Sequence, residues 1–298
     1  MATRITPATN RAASLELIRD YSLEMTGKDI PALVAAKDSI VPGTRINVTF
    51  LGNEDLEMRV AAAKAVRDLG FVPVPHISAR RLKSREALEE FLGRLRDVGA
   101  SEHVFAVGGD PATPEGPYED SLAVIRSGLL QQFGVREVGI GGYPEGHPDI
   151  PKAVLWRALE DKTAALAEQG LGTVILTQFA FDTDPVADWI DAVRAAGINA
   201  PIRVGTPGPA GVKRLLGFAR RFGVGANAMI VKKYGFSLTN LMGDAGPERF
   251  VNDLAAVLAD HTPGRQPHLE GRVGLHFYTF GGLLATADWI RQFVSEPG

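Results

Sequence analysis

Glu24 stands between Leu23 and Met25 in a short apolar run. A carboxyl turned into such surroundings loses hydration, its pKa rises, and it becomes a general acid near neutral pH. The alternative is a surface carboxylate on an irregular strand. Polar groups end other apolar runs in the same way: Thr49 after INV, His76 after VPVP, Gly108-Gly109-Asp110 after VFAV, Gly141-Gly142-Tyr143, Gln178 after VILT, Gly205-Thr206, and Tyr278. Glycines there let backbone approach a flat ligand, and Asp110 beside them would be a carboxylate facing it. Each also has a plainer reading. Asp110 before Pro111 suits a turn, His76 and His147 beside prolines suit hydrogen-bonded structural roles, and Tyr278 suits a core position with its hydroxyl satisfied. Gln178 closes a strongly apolar run, where an amide needs a partner or a ligand.

Several chemistries are excluded. The chain has no cysteine, so it offers no thiolate nucleophile, disulfide or cysteine-ligated metal. Its six histidines fall in no zinc spacing. No G-x-S-x-G elbow is present. Gly27-Lys28 lacks the upstream glycine and the following Ser or Thr of a phosphate-binding P-loop.

The elements that must position these groups alternate. Strand-like runs at 20–25, 45–50, 71–77, 103–108, 135–144, 172–179, 201–206 and 272–280 are each followed by an amphipathic stretch. The helices are expected at 29–39, 55–69, 84–98, 119–133, 151–169, 185–196, 211–222, 247–259 and 283–294. In the second of these, Leu56, Val60, Ala63, Val66 and Leu69 recur every three or four residues, and Gly70 stops the helix. Ser84 and Ala87 bracket an N-cap turn. Eight such units in 298 residues predict an α/β fold, a single-domain (β/α)8 TIM barrel over 1–298 with a polar N-terminal extension at 1–18. A doubly wound open sheet is the other candidate, but MTGKDIP after the first strand lacks its glycine fingerprint. In a barrel, all the polar strand ends meet at one mouth.

Composition agrees with a globular protein. Apolar residues are 45% and charged residues 22%, enough to bury a large core. A net charge of -3 gives no electrostatic reason to expect nucleic acid or an anionic membrane as partner. The first residues, MATRITPATNRAAS, carry no apolar signal core, and no apolar run approaches a membrane span, so a cytoplasmic location is expected.

Six strings in order resemble the methylenetetrahydrofolate reductase family: VTF at 48–50, PHIS at 75–78, GGDP at 108–111, YPEGHP at 143–148, LTQFAFD at 176–182 and HFYTF at 276–280. The resemblance runs from about Tyr21 to the last helix and is most specific in Y-P-E-x-H-P and T-Q-F-x-F-D. It implies a flavoprotein barrel of one-carbon metabolism and methionine biosynthesis. Such an enzyme reduces 5,10-methylenetetrahydrofolate to 5-methyltetrahydrofolate through bound FAD, with NADH or NADPH as electron donor. It also implies residue roles. Glu24 matches the glutamate that protonates the folate. Asp110 matches an aspartate near flavin and pterin, Gln178 a pterin-binding glutamine, and Phe218 an aromatic that stacks on folate or nicotinamide. Tyr278 joins the substrate side. Thr49, His76, Gly108, Gly109, Tyr118, Tyr143, His147 and Lys162 fall at or near FAD positions, with Lys162 serving the phosphates as a point charge.

The chain departs from the family at ligand-facing ends. The usual E-F-F-P-P reads Glu24-Met25-Thr26-Gly27-Lys28, the usual R-G-D reads Gly108-Gly109-Asp110, and an arginine after the last strand is Gly282. These changes keep two other readings in view: a divergent flavin barrel with another substrate or donor, and a non-catalytic folate-binding protein. The sequence leaves the choice of nucleotide and the oligomeric state open, a homo-oligomer included.

Overall fold

The computed structural model describes residues 7–211, 244–260 and 273–296. Eight parallel strands close a barrel: β1 (Ser22–Met25), β2 (Arg45–Val48), β3 (Val72–Ser78), β4 (His103–Val107), β5 (Glu137–Gly142), β6 (Gly172–Thr177), β7 (Ile202–Pro207) and β8 (Val273–Tyr278). Each strand pairs with its neighbours in sequence, and β1 closes on β8 with Ser22 opposite His276. The described helices are α1 (Pro7–Arg19), α2 (Ile30–Ala36), α3 (Leu56–Asp68), α4 (Arg85–Asp97), α5 (Ser121–Ile125), α6 (Leu129–Gln132), α7 (Lys152–Glu168), α8 (Thr183–Ala195), α9 (Glu248–Asp260) and α10 (Leu283–Ser295). The expected barrel is therefore the observed one.

Local chemistry sets the helix bounds. Asp55 and Ser84 cap α3 and α4 by accepting from Met58 N and Ala87 N, at 2.8 and 3.2 Å. Gly70 and Gly99 follow them with positive φ. The outer core fills the space between strands and helices. Leu23 and Met25 of β1, Leu88, Phe91, Leu92 and Leu95 of α4, and Leu275 and Phe277 of β8 are buried in it. Strand alternation turns the other residues inward, where Val74, Phe105 and Leu176 form a separate cluster inside the barrel.

Three expectations change. From Pro7 the N-terminal segment is helix α1, not an extension. Its Leu17 and Ile18 are buried, and Ser14 Oγ donates to Asn252 Oδ1 of α9 at 2.7 Å. The helix expected over 119–133 is broken in two, because Gly128 takes φ +75 between α5 and α6. Strands β2 and β6 stop before Thr49 and Gln178, which begin loops. Of the helix expected over 211–222, Gly211 is in a short strand, Ala210–Gly211, and the rest lies outside the described residues.

Candidate active site

Glu24 and Ser22 project into the barrel from β1, since Leu23 and Met25 occupy the outer core. Glu24 is half-buried at the mouth. Burial, and then the Asp29 carboxylate, push its carboxyl up to about 8. At neutral pH it therefore carries its proton. Thr279 Oγ1 donates to Glu24 O at 2.9 Å, tying the loop after β8 to β1.

Tyr278 enters from β8. Its hydroxyl donates to Thr177 O at 3.0 Å, and its ring stacks on Phe280 and meets the edge of Phe179. Burial, then Glu24 and Tyr143, hold its phenol well above the usual range. Glu24, Tyr278 and Tyr143 are thus brought together from β1, β8 and the end of β5. Gly205 makes room for this layer. A Cβ there would sit 2.5 Å from Thr177 O and 2.6 Å from Tyr278 Cε2.

One step deeper lies a polar layer. Ser22 Oγ meets His276 Nδ1 at 2.9 Å, and Asn47 Nδ2 meets His76 Nε2 at 3.2 Å. Burial lowers His76 to about 3. Burial, then His76 and Arg203, lower His276 well below its usual range. Both rings are uncharged at neutral pH. The floor is ionic: Glu137 meets Arg45 at 3.2 Å and His103 at 3.1 Å, while Arg203 meets Asp20 at 2.6 Å.

The other expected residues follow β2, β4, β5 and β6 or lie on α7. Thr49 leaves β2 with its N–H and hydroxyl both donating to Met25 O, at 2.8 and 3.2 Å. Gly108 has open space where a side chain would project. Gly109 takes φ +95, and a Cβ there would meet Ser78 Oγ at 2.2 Å, so the turn requires glycine. Asp110 is exposed. Arg81 donates to its Oδ1 from Nε and Nη2, at 2.9 and 2.7 Å. Gln178 Oε1 accepts from Phe179 N at 3.1 Å. Tyr143 meets His147 edge-on, and His147 Nδ1 accepts from Asp149 N. Tyr118 is buried before α5, and burial raises its phenol. Lys162 is only 8% exposed on α7, and burial lowers its pKa against the opposing pull of Asp120. Among the described residues nothing hydrogen-bonds or ion-pairs with it. Phe218 lies outside the described residues.

Several contributors escape sequence reasoning. Arg81 comes from a different loop than Asp110; only the doubled Arg80-Arg81 after a strand end hints at it. Ser22 and His276 carry the alternation signal, two residues before Glu24 and Tyr278. Beside Tyr143, a cleft of about 340 Å³ opens between α7 and α8. Trp156, Leu155, Leu159, Pro185 and Trp189 line it, with Lys152 and Asp188 among its walls. It flanks the mouth rather than Glu24, and its flat apolar walls suit a planar ring.

The family model described as methylenetetrahydrofolate reductase matches residues 33–232, more than half of the chain. Methylenetetrahydrofolate reductase 2 of Saccharomyces cerevisiae is 32% identical over 172 residues, 54% of this chain and 27% of that protein. A 5,10-methylenetetrahydrofolate reductase of Pectobacterium carotovorum is 28% identical over 177 residues, 58% of this chain and 57% of that protein. These matches cover less than two thirds of either relative. Dihydropteroate synthase of Thermus thermophilus superposes with a TM-score of 0.47 at 16% identity, over 91% of each chain.

Proposed function

The chain belongs to the methylenetetrahydrofolate reductase family, and from that premise we propose that it reduces 5,10-methylenetetrahydrofolate to 5-methyltetrahydrofolate, using FAD and a nicotinamide nucleotide. The observation that carries the reading is Glu24, a carboxyl protonated at neutral pH and set among aromatic side chains at the barrel mouth. Opening the methylene-bridged ring requires a proton on the departing nitrogen, and we assign its donation to Glu24. Its second role follows from charge. Once deprotonated, its carboxylate would offset positive charge that develops on the bound folate.

The residues present fit FAD. Lys162 is buried with no ion pair among the described residues, only the weaker pull of Asp120, which suits a phosphate. Gly108 leaves its face open, and Gly109 brings backbone close. By the family resemblance Thr49, His76, Tyr118, Tyr143 and His147 are assigned to the same cofactor. When bound and reduced, FAD supplies the hydride that no side chain can. His76, held neutral in the layer below, adds no charge there. Asp110 keeps Oδ1 on Arg81 and offers Oδ2 to an N–H of a ligand. Gln178 and Tyr278 face the folate, with Phe218 assigned to the same side by the family resemblance. NADH and NADPH are both admitted by this reading.

The test is the anaerobic visible spectrum of the purified protein. Flavin bands that bleach with NADH or NADPH and return with methylenetetrahydrofolate are expected. Bands that bleach and stay bleached would move the search to a different acceptor. A protein colourless after added FAD would overturn the flavin assignment.

A further inference from the structure

Glu54 takes no part in the mouth, yet it is a buried carboxylate, 6% exposed, at the junction of two mouth loops. Its Oε1 accepts from Gly27 N at 2.8 Å, and its Oε2 accepts from Leu51 N at 3.0 Å. Gly27 lies three residues after Glu24, and Leu51 lies two after Thr49. The carboxylate thus staples the loop after β1 to the loop after β2. Packing makes the staple specific. A Cβ on Gly27 would stand 2.7 Å from Met58 Cγ and 3.2 Å from Glu54 Oε1. A side chain at 27 would have to displace Met58, and a proline there would have no N–H to give.

The stapled loop is itself knotted. Asp29 Oδ2 accepts from Thr26 N and Thr26 Oγ1, at 2.8 and 2.9 Å, and Asp29 N returns a bond to Thr26 O at 3.1 Å. Behind Glu54 stands Arg59, which is buried, senses the Glu54 charge, and lies over the rings of Phe50 at 3.7 Å and Phe91 at 4.5 Å. A buried carboxylate with two backbone donors and a nearby guanidinium is a fixed anchor.

We propose that Glu54 is a positioning residue for the proton donor: by bridging Gly27 and Leu51 it fixes the loop that holds Glu24 and Asp29 in their relative places. This rests on the reading of Glu24 as the acid. The groups facing Glu24 are Asp29 from its own loop and Tyr278 from β8. With the staple cut, the loop loosens, Asp29 moves away and water enters. Both changes lower the Glu24 pKa.

The experiment compares wild type, Glu54→Gln and Thr26→Val as holoenzymes, in two half-reactions across pH 6–9.5. Reduction by the nicotinamide nucleotide does not use Glu24, and folate-dependent reoxidation does. Glu54→Gln is expected to slow reoxidation about 10- to 100-fold, with reduction and FAD affinity within about twofold of wild type. The alkaline limb of reoxidation, near pH 8 in wild type, moves down. Thr26→Val, which removes the hydroxyl bonds to Asp29 Oδ2 and from Lys28 N, moves it in the same direction by less, and keeps the test alive if Glu54→Gln does not fold. A Glu54→Gln protein with an unshifted limb and wild-type reoxidation overturns the proposal, as does equal loss of both half-reactions, which marks a general structural role. Wild type that is never reoxidised by the folate overturns instead the reading beneath it.

Discussion

A single carboxyl separates the reductase reading from that of a folate-binding barrel. Glu24 keeps its proton up to about pH 8 because burial, and then Asp29, disfavour the carboxylate. Glu24→Gln should keep flavin reduction and lose folate-dependent reoxidation by about 10²- to 10⁴-fold. In wild type the same step should fall as pH rises through about 8, and the residual rate of the variant should be flat there. Stopped-flow reoxidation across pH 6–9.5 checks both, and a wild-type rate in the variant would remove Glu24 from the chemistry. Lys162 makes a separate case. Replacing it with Met leaves no buried anion behind, so folding should hold. FAD affinity should drop about 10-fold or more, the worth of one charge-assisted contact, as a fluorescence titration would show. Glu24 stood out in the sequence as a charge inside an apolar run, whereas Lys162 was pointed to by the family resemblance alone. Glu54, Arg81 and Ser22 were not legible, since each acts on a group distant in sequence.

At the level of elements, strand ends and glycines shape the mouth more than any loop sequence does. Gly205 is the clearest instance. Its N–H donates to Thr177 Oγ1 at 2.8 Å, and its missing side chain is the space filled by Tyr278, whose hydroxyl reaches Thr177 O. Gly205→Ala would press a methyl on the β6 backbone and on the tyrosine ring. The backbone cannot yield, so Tyr278 must turn away. A loss of about 1–3 kcal/mol in stability is expected from overpacking, with weakened folate binding, measured by urea unfolding and by folate titration. Unchanged values in both would show that β6 and β7 can spread. Strands and capped helices were readable from period and punctuation, as Ser84, Asp55 and Gly70 illustrate. The failures were also physical. Ser127-Gly128 broke a helix whose apolar spacing continued across it, and α1 hid its buried Leu17 and Ile18 behind a polar start. The cleft between α7 and α8 depends on two tryptophans 33 positions apart, and no periodicity relates them.

The barrel as a whole stores ionisable groups that answer pH in opposite directions. His76 is held neutral down to about 3, against 6.5 in an unfolded chain. Below about 6.5 the unfolded chain takes a proton that the folded barrel refuses, so stability falls as pH drops from about 6.5 towards 3. The slope approaches about 1.4 kcal/mol per pH unit for one histidine. His276 acts in the same direction. Glu24 has the opposite sign. Its folded value of about 8 lies above the ordinary 4.5, so its stabilising contribution is full below 4.5 and is lost as pH rises through 8. Between 4.5 and 6.5 the terms oppose each other, which predicts a stability maximum near the upper end of that window. His76→Gln tests the acid side. It removes the titrating ring while leaving an amide beside Asn47, so it should cost about 1–3 kcal/mol near pH 7 from lost packing on Phe105. Its urea midpoint should then decline less steeply than that of wild type from pH 6.5 to 4. Parallel slopes would mean that the folded barrel admits the proton at His76. The inner polar layer would then be wet enough to charge, and the low dielectric that keeps Glu24 protonated would be lost with it.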